Sequence, residues 1–217
     1  MGEGRVSQLP HVVWDMGGIL YRYFTELMLD VGEERGWPLE RIPLGPTGRL
    51  ADADYQSMLD GGLDEPDYVT VVRARLEAEG IDFDPPRELD WLGETRTETW
   101  LAIEEIDRRR HRQALLTNDA SRWLGENWWE TWERGEVFDS IIDSVTVGAR
   151  KPAPEPYLAT AAALGVSPTE CLFVDDLPVN CRGAEAVGMQ SHPFVIADSQ
   201  GSLDALLTRL ALGTSGS

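Results

Sequence analysis

The sequence predicts an α/β protein: a parallel β-sheet with helices on both faces and a helical segment inserted after the first strand. Three observations lead to this prediction. Short apolar runs bounded by turn signals are typical of buried strands. Helical patterns separate the later runs, and such alternation indicates parallel strands. Residues 24–104 break the alternation and favour helix. The predicted strands are HVVWD (11–15), QALLTND (113–119), SIIDSV (140–145), CLFVDD (171–176) and, more weakly, HPFVI (192–196).

Three helices are predicted between the later strands, with the sequences SRWLGENWWETWERG, PEPYLATAAALGV and NCRGAEAVG. A helix over the first stretch would place Trp128 and Trp132 on one face, at a spacing of i,i+4, and Trp129 on another. We interpret these rings and Trp123 as core and domain-contact packing. A wall of a binding pocket or a dimer contact remains the alternative. Asp119, which precedes the stretch, is the predicted helix N-cap.

The inserted helical segment predicts a second domain. Its four stretches are TELMLDVGEERGW, ADADYQSMLDGG, EPDYVTVVRARLEAEG and LDWLGETRTETWLAIEEI. We therefore expect residues 24–104 to form a helical cap over the strand ends, and residues 10–23 and 105–212 to form the core. Residues 1–9 and 213–217 are expected to be flexible termini.

Composition and charge exclude several classes of function. The chain has 217 residues and a formal net charge of −19, which argues against nucleic acids and anionic membranes as partners. No apolar run reaches the about 18 residues of a membrane span. The first residues lack the apolar stretch of a secretion signal, so we expect a cytoplasmic location. Two cysteines, Cys171 and Cys181, fit a reducing compartment. We expect a monomer or a homodimer, with His111 on its surface.

The basic residues are unusual, because Lys151 is the single lysine among 19 lysines and arginines. A compact ammonium charge is not interchangeable with a guanidinium, so we expect Lys151 to be chemically required. Polar residues also end three of the predicted strands. Ligands bind at the carboxyl ends of parallel strands, and these residues therefore form one candidate site. They are Asp15, Thr117, Asn118, Asp175 and Asp176.

Four motifs stand at these strand ends and in the loops beside them: DMGG (15–18), LLTND (115–119), GARKP (148–152) and VDDLPVN (174–180). Together and in this order they resemble those of the haloacid dehalogenase-like hydrolase superfamily, with a Rossmann-like core and a helical cap. The stretch LDGGLDEPDYVTVVRARL also looks like the subgroup that contains sugar-1-phosphate phosphatases and the phosphatase domains of epoxide hydrolases.

The resemblance implies a Mg²⁺-dependent phosphatase acting on a small phosphorylated metabolite. Asp15 would be the nucleophile that forms an aspartyl-phosphate. The metal ligands would be Asp15, the backbone carbonyl of Gly17, Asp176 and, directly or through water, Asp175. Asn180 would support them.

Phosphate binding is implied for the loop after the first strand and for three residues further along the chain. Lys151 would neutralise the nucleophile and the charge of the transition state. The phosphate-binding residues would be Gly17, Gly18, Thr117, Asn118 and Lys151.

Position 17 departs from the family. Most phosphatases of the superfamily carry there a second aspartate that protonates the leaving group, and Gly17 cannot do so. A phosphatase could still use substrates with a good leaving group, such as a sugar 1-phosphate, or take the proton from a cap residue or from the substrate. Tyr21, Arg22, Tyr23 and the GGLDE turn (61–65) are expected to face the pocket.

Two alternatives remain open. One is a hydrolase acting on another electrophile, such as a dehalogenase, although the acid pair Asp175 and Asp176 favours a metal site. The other is a binding or regulatory protein that retains phosphate affinity with little turnover. Phosphonate cleavage is excluded, because it requires a lysine in the cap segment and the chain has none there.

Overall fold

The computed structural model describes residues 10–89, 95–106, 110–118 and 120–212. The predicted flexible termini, 1–9 and 213–217, lie outside the described residues. Asp119, the predicted N-cap, and the side chain of Trp123 lie outside them as well.

The core of the fold is a five-stranded, fully parallel sheet in the order β3-β2-β1-β4-β5. This confirms the predicted α/β, Rossmann-like class. The central strand β1 pairs with β2 on one side and with β4 on the other, so its end lies between theirs. The strands are β1 (His11–Trp14), β2 (Gln113–Thr117), β3 (Ser140–Asp143), β4 (Cys171–Asp175) and β5 (Gln190–Pro193).

Helices cover both faces of the sheet. Alternate residues of a strand point to opposite faces, which explains why β2 and β4 are buried along their whole length. Val12 and Trp14 of β1 pack in one hydrophobic cluster with residues of α1 (Phe24–Arg35), α5 (Thr97–Glu105) and α10 (Ser199–Leu212). Val13, between them, packs in a second cluster with α8 (Pro154–Leu164) and α9 (Pro178–Ala186).

The segment after β1 is helical, as predicted. Besides α1 and α5 it contains α2 (Ala53–Asp60), α3 (Glu65–Ala78) and α4 (Pro85–Glu88). The turn after α2 lies against the core, since a Cβ atom at Gly61 would stand 3.3 Å from Cγ2 of Val179 in α9. The assignment of residues 24–104 to a separate cap domain stays a prediction, and α5 packs against α10 of the core.

Asp52 holds the helical segment together. Its carboxylate, whose side chain is 1% exposed, caps α2 by accepting hydrogen bonds from the backbone N–H groups of Asp54 and Tyr55. It also accepts hydrogen bonds from the Tyr68 hydroxyl at 2.7 Å and from both terminal nitrogens of Arg75 at 2.8 and 2.9 Å. Because Tyr68 and Arg75 belong to α3, one carboxylate joins two helices.

The tryptophan-rich stretch does not form the single helix that we predicted. The helix α6 (Ala120–Leu124) ends before Gly125 and Asn127, which adopt positive φ angles of 92° and 55°. Two 3₁₀ turns follow, at Trp128–Glu130 and Glu133–Val137, so the predicted i,i+4 helical face is wrong. The packing interpretation is nevertheless supported, since the Trp128 and Trp132 rings lie 5.2 Å apart.

Two further expectations are corrected. β5 ends at Pro193, earlier than predicted, because Phe194 and Ile196 of the apolar run pack into the core after the strand. His111 is buried and not on the surface: it is 4% exposed, and its Nδ1 atom lies 2.7 Å from the Pro10 carbonyl oxygen.

The short helix α7 (Ser144–Val147) follows β3 directly. Within the described residues, each helix is too short or too polar to cross a lipid bilayer.

Candidate active site

A cavity of about 700 Å³ opens at the carboxyl ends of the strands. The sheet places Asp15 directly after β1, Thr117 at the end of β2 and Asp175 at the end of β4. Every predicted site residue lines this cavity except Asp175, which is fully buried beside it. Those on the wall are Asp15, Gly17, Gly18, Thr117, Asn118, Lys151, Asp176 and Asn180.

Lys151 lies at the centre of the polar groups. Its Nζ atom donates hydrogen bonds to Asp15 Oδ1 at 2.6 Å, Asp175 Oδ2 at 2.9 Å and the Leu116 carbonyl oxygen at 3.1 Å. Burial opposes its charge, but the carboxylates of Asp15 and Asp175 outweigh burial and raise the pKa of Lys151 above its ordinary value. The only lysine of the chain is therefore held as a cation between two acids.

Asn118 positions the backbone of Lys151. Its side-chain oxygen accepts a hydrogen bond from the Lys151 backbone N–H at 3.0 Å, and its amide nitrogen donates to the Lys151 carbonyl oxygen at 3.2 Å. The side-chain amide, predicted as a phosphate ligand, is thus committed to the loop that carries the lysine. Thr117, the neighbouring predicted ligand, is buried at 4% exposure and lines the cavity.

Asp175 is surrounded by donors. Besides Lys151, the backbone N–H of Leu177 donates to it at 2.8 Å, and the amide of Asn180 lies 3.1 and 3.0 Å from its two oxygens. Asn180 therefore has the supporting position that was predicted for it. Burial raises the pKa of Asp175 to about 7, although Lys151 opposes the shift.

Asp176 is the acid whose surroundings best fit a bound cation. Its Oδ2 atom is buried and has no hydrogen-bond partner within the described residues. Burial raises the pKa of its carboxyl well above the ordinary value, and Asp175 and Asp15 add to the shift. One oxygen from each of these three acids can be chosen so that all lie within 4.8 Å of one another. Clustered carboxylates with an orphaned oxygen fit a hard divalent cation such as Mg²⁺.

The loop after β1 is shaped by two glycines. Gly18 has a φ of +73°, and a Cβ atom there would stand 3.3 Å from Asp176 Oδ2, so a side chain would be strained and would crowd the acid. Gly17 differs, because a Cβ atom there would meet nothing within 4 Å. Nothing described in the structure prevents a side chain at position 17.

Part of the cavity wall comes from the segment after β1. Tyr21, Arg22, Tyr23 and all five residues of the GGLDE turn (61–65) line the cavity, as predicted. Sequence analysis missed Arg150, which lies beside the lysine, and the apolar part of the wall. Those apolar residues are Phe24, Met58, Val69, Leu124 and Val179. Apolar residues in helical patterns are read as core, and nothing local distinguishes a cavity wall.

The comparisons with known proteins identify the family. The family description "haloacid dehalogenase-like hydrolase" matches residues 10–188. The chain belongs to the haloacid dehalogenase-like hydrolases. The superfamily resemblance of the four motifs is therefore confirmed, and so is the expectation of a hydrolase.

Two relatives of this haloacid dehalogenase-like hydrolase align with most of it. Phosphatase MT3486 of Mycobacterium tuberculosis is 29% identical over 184 residues, covering 83% of this chain and 85% of the relative. A phosphoglycolate phosphatase of Pseudomonas putida is 29% identical over 192 residues, covering 84% of this chain and 68% of the relative. Both names support the phosphatase class within the family.

A solved structure supports the fold of this haloacid dehalogenase-like hydrolase. The HAD-hydrolase YfnB of Bacillus subtilis, described as bound to magnesium, superposes with a TM-score of 0.59. The alignment covers 86% of this chain and 87% of the other, at 16% identity. At this identity, the similarity concerns the fold alone.

Proposed function

We propose that this hydrolase is a Mg²⁺-dependent phosphatase that acts on a small phosphorylated metabolite through an aspartyl-phosphate on Asp15. The observation that carries the proposal is the contact between Asp15 and Lys151, 2.6 Å long, at the edge of a cavity lined by Asp176. One oxygen of Asp176 has no hydrogen-bond partner in the part of the chain that the structure describes. A nucleophilic carboxylate, a fixed cation and a cation site are the requirements for attack on phosphorus.

The mechanism follows from these residues. Lys151 holds Asp15 Oδ1, which leaves Oδ2 of Asp15 for the attack on phosphorus as the bond to the leaving oxygen breaks. Lys151 and the N–H groups of the loop after β1 offset the negative charge on the phosphoryl oxygens. Water then attacks the aspartyl-phosphate, releasing phosphate and restoring Asp15. A Mg²⁺ ion held by Asp15, Asp175, Asp176 and the Gly17 carbonyl would supply further positive charge and overcome the repulsion between carboxylate and phosphate.

The cavity supports a substrate of metabolite size. A volume of about 700 Å³ is within the usual range for small-molecule sites, and its mixed wall offers both apolar and polar contacts. A fructose-1-phosphate phosphatase of Escherichia coli, YqaB, is 35% identical to this chain over 54 residues, covering 25% of this chain and 29% of that protein. Fructose 1-phosphate is an ester of a primary alcohol, so this match supports only sugar phosphates as a class. Because Gly17 offers no acid for the leaving group, we propose a phosphate with a good leaving group, such as an aldose 1-phosphate. We also propose a cytoplasmic location and a monomer or homodimer.

The test is phosphate release with Mg²⁺ and with a chelator. The substrates are p-nitrophenyl phosphate, acetyl phosphate and a panel of sugar 1- and sugar 6-phosphates. Asp15→Asn serves as the blank, because an amide keeps the size of the side chain and cannot attack. We expect metal-dependent release that the variant lacks, and a phosphoryl group on the Asp15 peptide in the acid-quenched wild type. Turnover that survives in Asp15→Asn, or in the chelator, would contradict the proposal. Halide release from 2-chloropropionate without phosphate release would identify a dehalogenase instead.

A further inference from the structure

The cavity contains a carboxyl group that none of the roles above uses. A leaving alcohol needs a proton when its bond to phosphorus breaks, and the water that follows must lose one. Asp15 is occupied as the proposed nucleophile, Asp176 faces the proposed cation, and Lys151 is held by two carboxylates. The other carboxyl groups among the described lining residues are Asp64, Glu65 and Asp67.

Two of these three face solvent. Asp64 is exposed, and its carboxylate caps α3 by accepting a hydrogen bond from the Asp67 backbone N–H at 2.9 Å. Asp67 is also exposed. Glu65 is half-buried at the first position of α3 and lines the cavity that Asp15 and Lys151 also line. Of the three carboxyl groups, that of Glu65 is the one withdrawn from solvent on the cavity wall.

The surroundings of Glu65 favour its neutral, proton-carrying form. Burial raises the pKa of its carboxyl, and the charge of Asp15 adds to the shift; Lys151, Arg150 and Tyr23 oppose it. The titratable and charged groups that act on Glu65 come from every element around it. They are Asp15, Tyr23, Tyr55, Arg150, Lys151 and Asp176.

We propose that Glu65 is the general acid and base of this hydrolase, supplied by the helical segment to the cavity that Asp15 also lines. This inference rests on the proposed phosphatase function and assigns one further catalytic residue to it. It also accounts for Gly17, since a donor from the helical segment makes a second acid in the β1 loop unnecessary.

The proton balance closes over the two steps. In the first step, Asp15 attacks phosphorus, the bond from phosphorus to the leaving oxygen breaks, and Glu65 gives its proton to that oxygen. In the second step, the Glu65 carboxylate takes a proton from water as the water oxygen attacks phosphorus. The bond from phosphorus to Asp15 then breaks, which leaves inorganic phosphate, the Asp15 carboxylate and a protonated Glu65.

The decisive experiment compares Glu65→Gln with wild type on two leaving groups. For an alkyl phosphate such as a sugar 6-phosphate, we expect kcat/KM to fall by about 10²–10⁴-fold. For p-nitrophenyl phosphate, whose leaving group needs no proton, kcat/KM should change by less than about tenfold. The kcat for p-nitrophenyl phosphate should fall, because hydrolysis of the aspartyl-phosphate lacks its base. A burst of p-nitrophenol should then precede slow turnover.

Two controls separate catalysis from folding and binding. Glu77→Gln removes an exposed carboxyl of the same helix, outside the cavity wall, and should match wild type on both substrates. The double variant with Glu65→Gln and Gly17→Asp should recover alkyl phosphate hydrolysis, because the structure has space at position 17. With wild type, kcat/KM for the alkyl phosphate should decline as pH rises through the pKa of Glu65, and Glu65→Gln should lack this decline.

The outcomes distinguish this inference from the proposed function. If the wild type is active and Glu65→Gln loses kcat/KM equally on both substrates, or on neither, the role of Glu65 is overturned and the proposed function stands. A wild type that releases no phosphate from any substrate overturns the proposed function, and this inference with it.

Discussion

The Nζ atom of Lys151 lies 2.6 Å from a carboxylate oxygen of Asp15, although the two residues are 136 positions apart in the chain. A second acid, Asp175, holds the same nitrogen at 2.9 Å. An ammonium between two buried carboxylates is a preformed electrostatic site, because its position is set before any ligand binds.

Replacing Lys151 by Met should abolish most of the turnover. We expect phosphate release to fall by at least about 10²–10³-fold, the usual loss when a preorganised donor is removed. Mg²⁺ should still bind in calorimetry, because Asp15, Asp175 and Asp176 remain. Lys151→Arg should also be impaired, since a planar guanidinium does not reproduce the three contacts of a compact ammonium. Activity close to wild type in Lys151→Arg would mean that positive charge alone suffices.

Asp176→Asn should stabilise the metal-free protein and remove its response to Mg²⁺. The change relieves repulsion between Asp176 and its acidic neighbours, and each kcal/mol gained corresponds to about 2–4 °C in Tm for a chain of this size. Wild type should gain about 2.7 kcal/mol when Mg²⁺ is present at a hundred times its Kd. Thermal melts with Mg²⁺ and with a chelator measure both effects. The exposed Asp82→Asn is the control, and a Mg²⁺ shift that persists in Asp176→Asn would contradict the assignment.

Arg96 and Glu26 form an ion pair, and we expect the loss of one partner alone to destabilise the folded protein strongly. Arg96 is 6% exposed; its Nη2 atom lies 2.5 Å from Glu26, and its Nε atom donates to the Gly18 carbonyl oxygen at 2.9 Å. Arg96→Met should cost about 3–5 kcal/mol, because it leaves a buried carboxylate without its partner.

A double-mutant cycle tests this coupling. In urea denaturation, the double variant with Glu26→Gln and Arg96→Met should lose much less free energy of unfolding than the two single variants lose in sum. The exposed pair of Arg49 and Glu33, 2.9 Å apart, is the comparison, and Arg49→Met should cost about 0–1 kcal/mol. Strict additivity of the two buried changes would contradict the coupling.

Acid should weaken the helical segment through Asp52. Burial alone would raise the pKa of this carboxyl, but Arg75, Tyr68 and backbone N–H groups outweigh burial and hold it below the ordinary value of 3.8. A group whose folded pKa is depressed stabilises the fold above its unfolded pKa and loses this contribution as pH falls. The loss should therefore begin near pH 4 and continue below it.

Asp52→Asn provides the matched comparison, because asparagine retains a good N-cap side chain. At pH 7 the variant should be less stable than wild type in urea denaturation. Between pH 5 and pH 3 we expect this difference to shrink, since only wild type loses the ionised carboxylate. A difference that is constant over that range would show that Asp52 contributes by hydrogen-bond geometry alone.

The sheet and the polar ends of its strands were predictable because both signals are local. An apolar run that stops at Asp15 or at Asp175 is visible in five residues, and the carboxyl ends of parallel strands meet at one edge. Asp143 shows the limit of this reasoning. It also ends a strand, but Ser121, Val145 and Trp128 donate hydrogen bonds to it, and it is structural.

Other features of the site could not be predicted from the sequence, because they depend on contacts between distant parts of the chain. Asn118 was predicted as a phosphate ligand, and only the structure shows that its amide pairs with the backbone of Lys151. The distinct environment of Glu65 likewise depends on Tyr23, more than 40 positions away. The helix predicted for the tryptophan-rich stretch was wrong for a different reason. Positive φ angles at Gly125 and Asn127 end the helix, although the spacing of the tryptophans is helical.

The central position of β1 has a consequence for when this enzyme becomes active during synthesis. Val12 pairs with Gln113 and His11 with Cys171, so the strand that precedes Asp15 finds both neighbours far downstream. A ribosome delivers Asp15 early, yet Lys151 and Asp175 emerge only when most of the chain has been made. Closing such long loops is slow, and Asp15 gains its contact with Lys151 only after the intervening residues have been made. A nascent chain that ends before position 151 thus carries the proposed nucleophile without the ammonium group that contacts it in the finished fold.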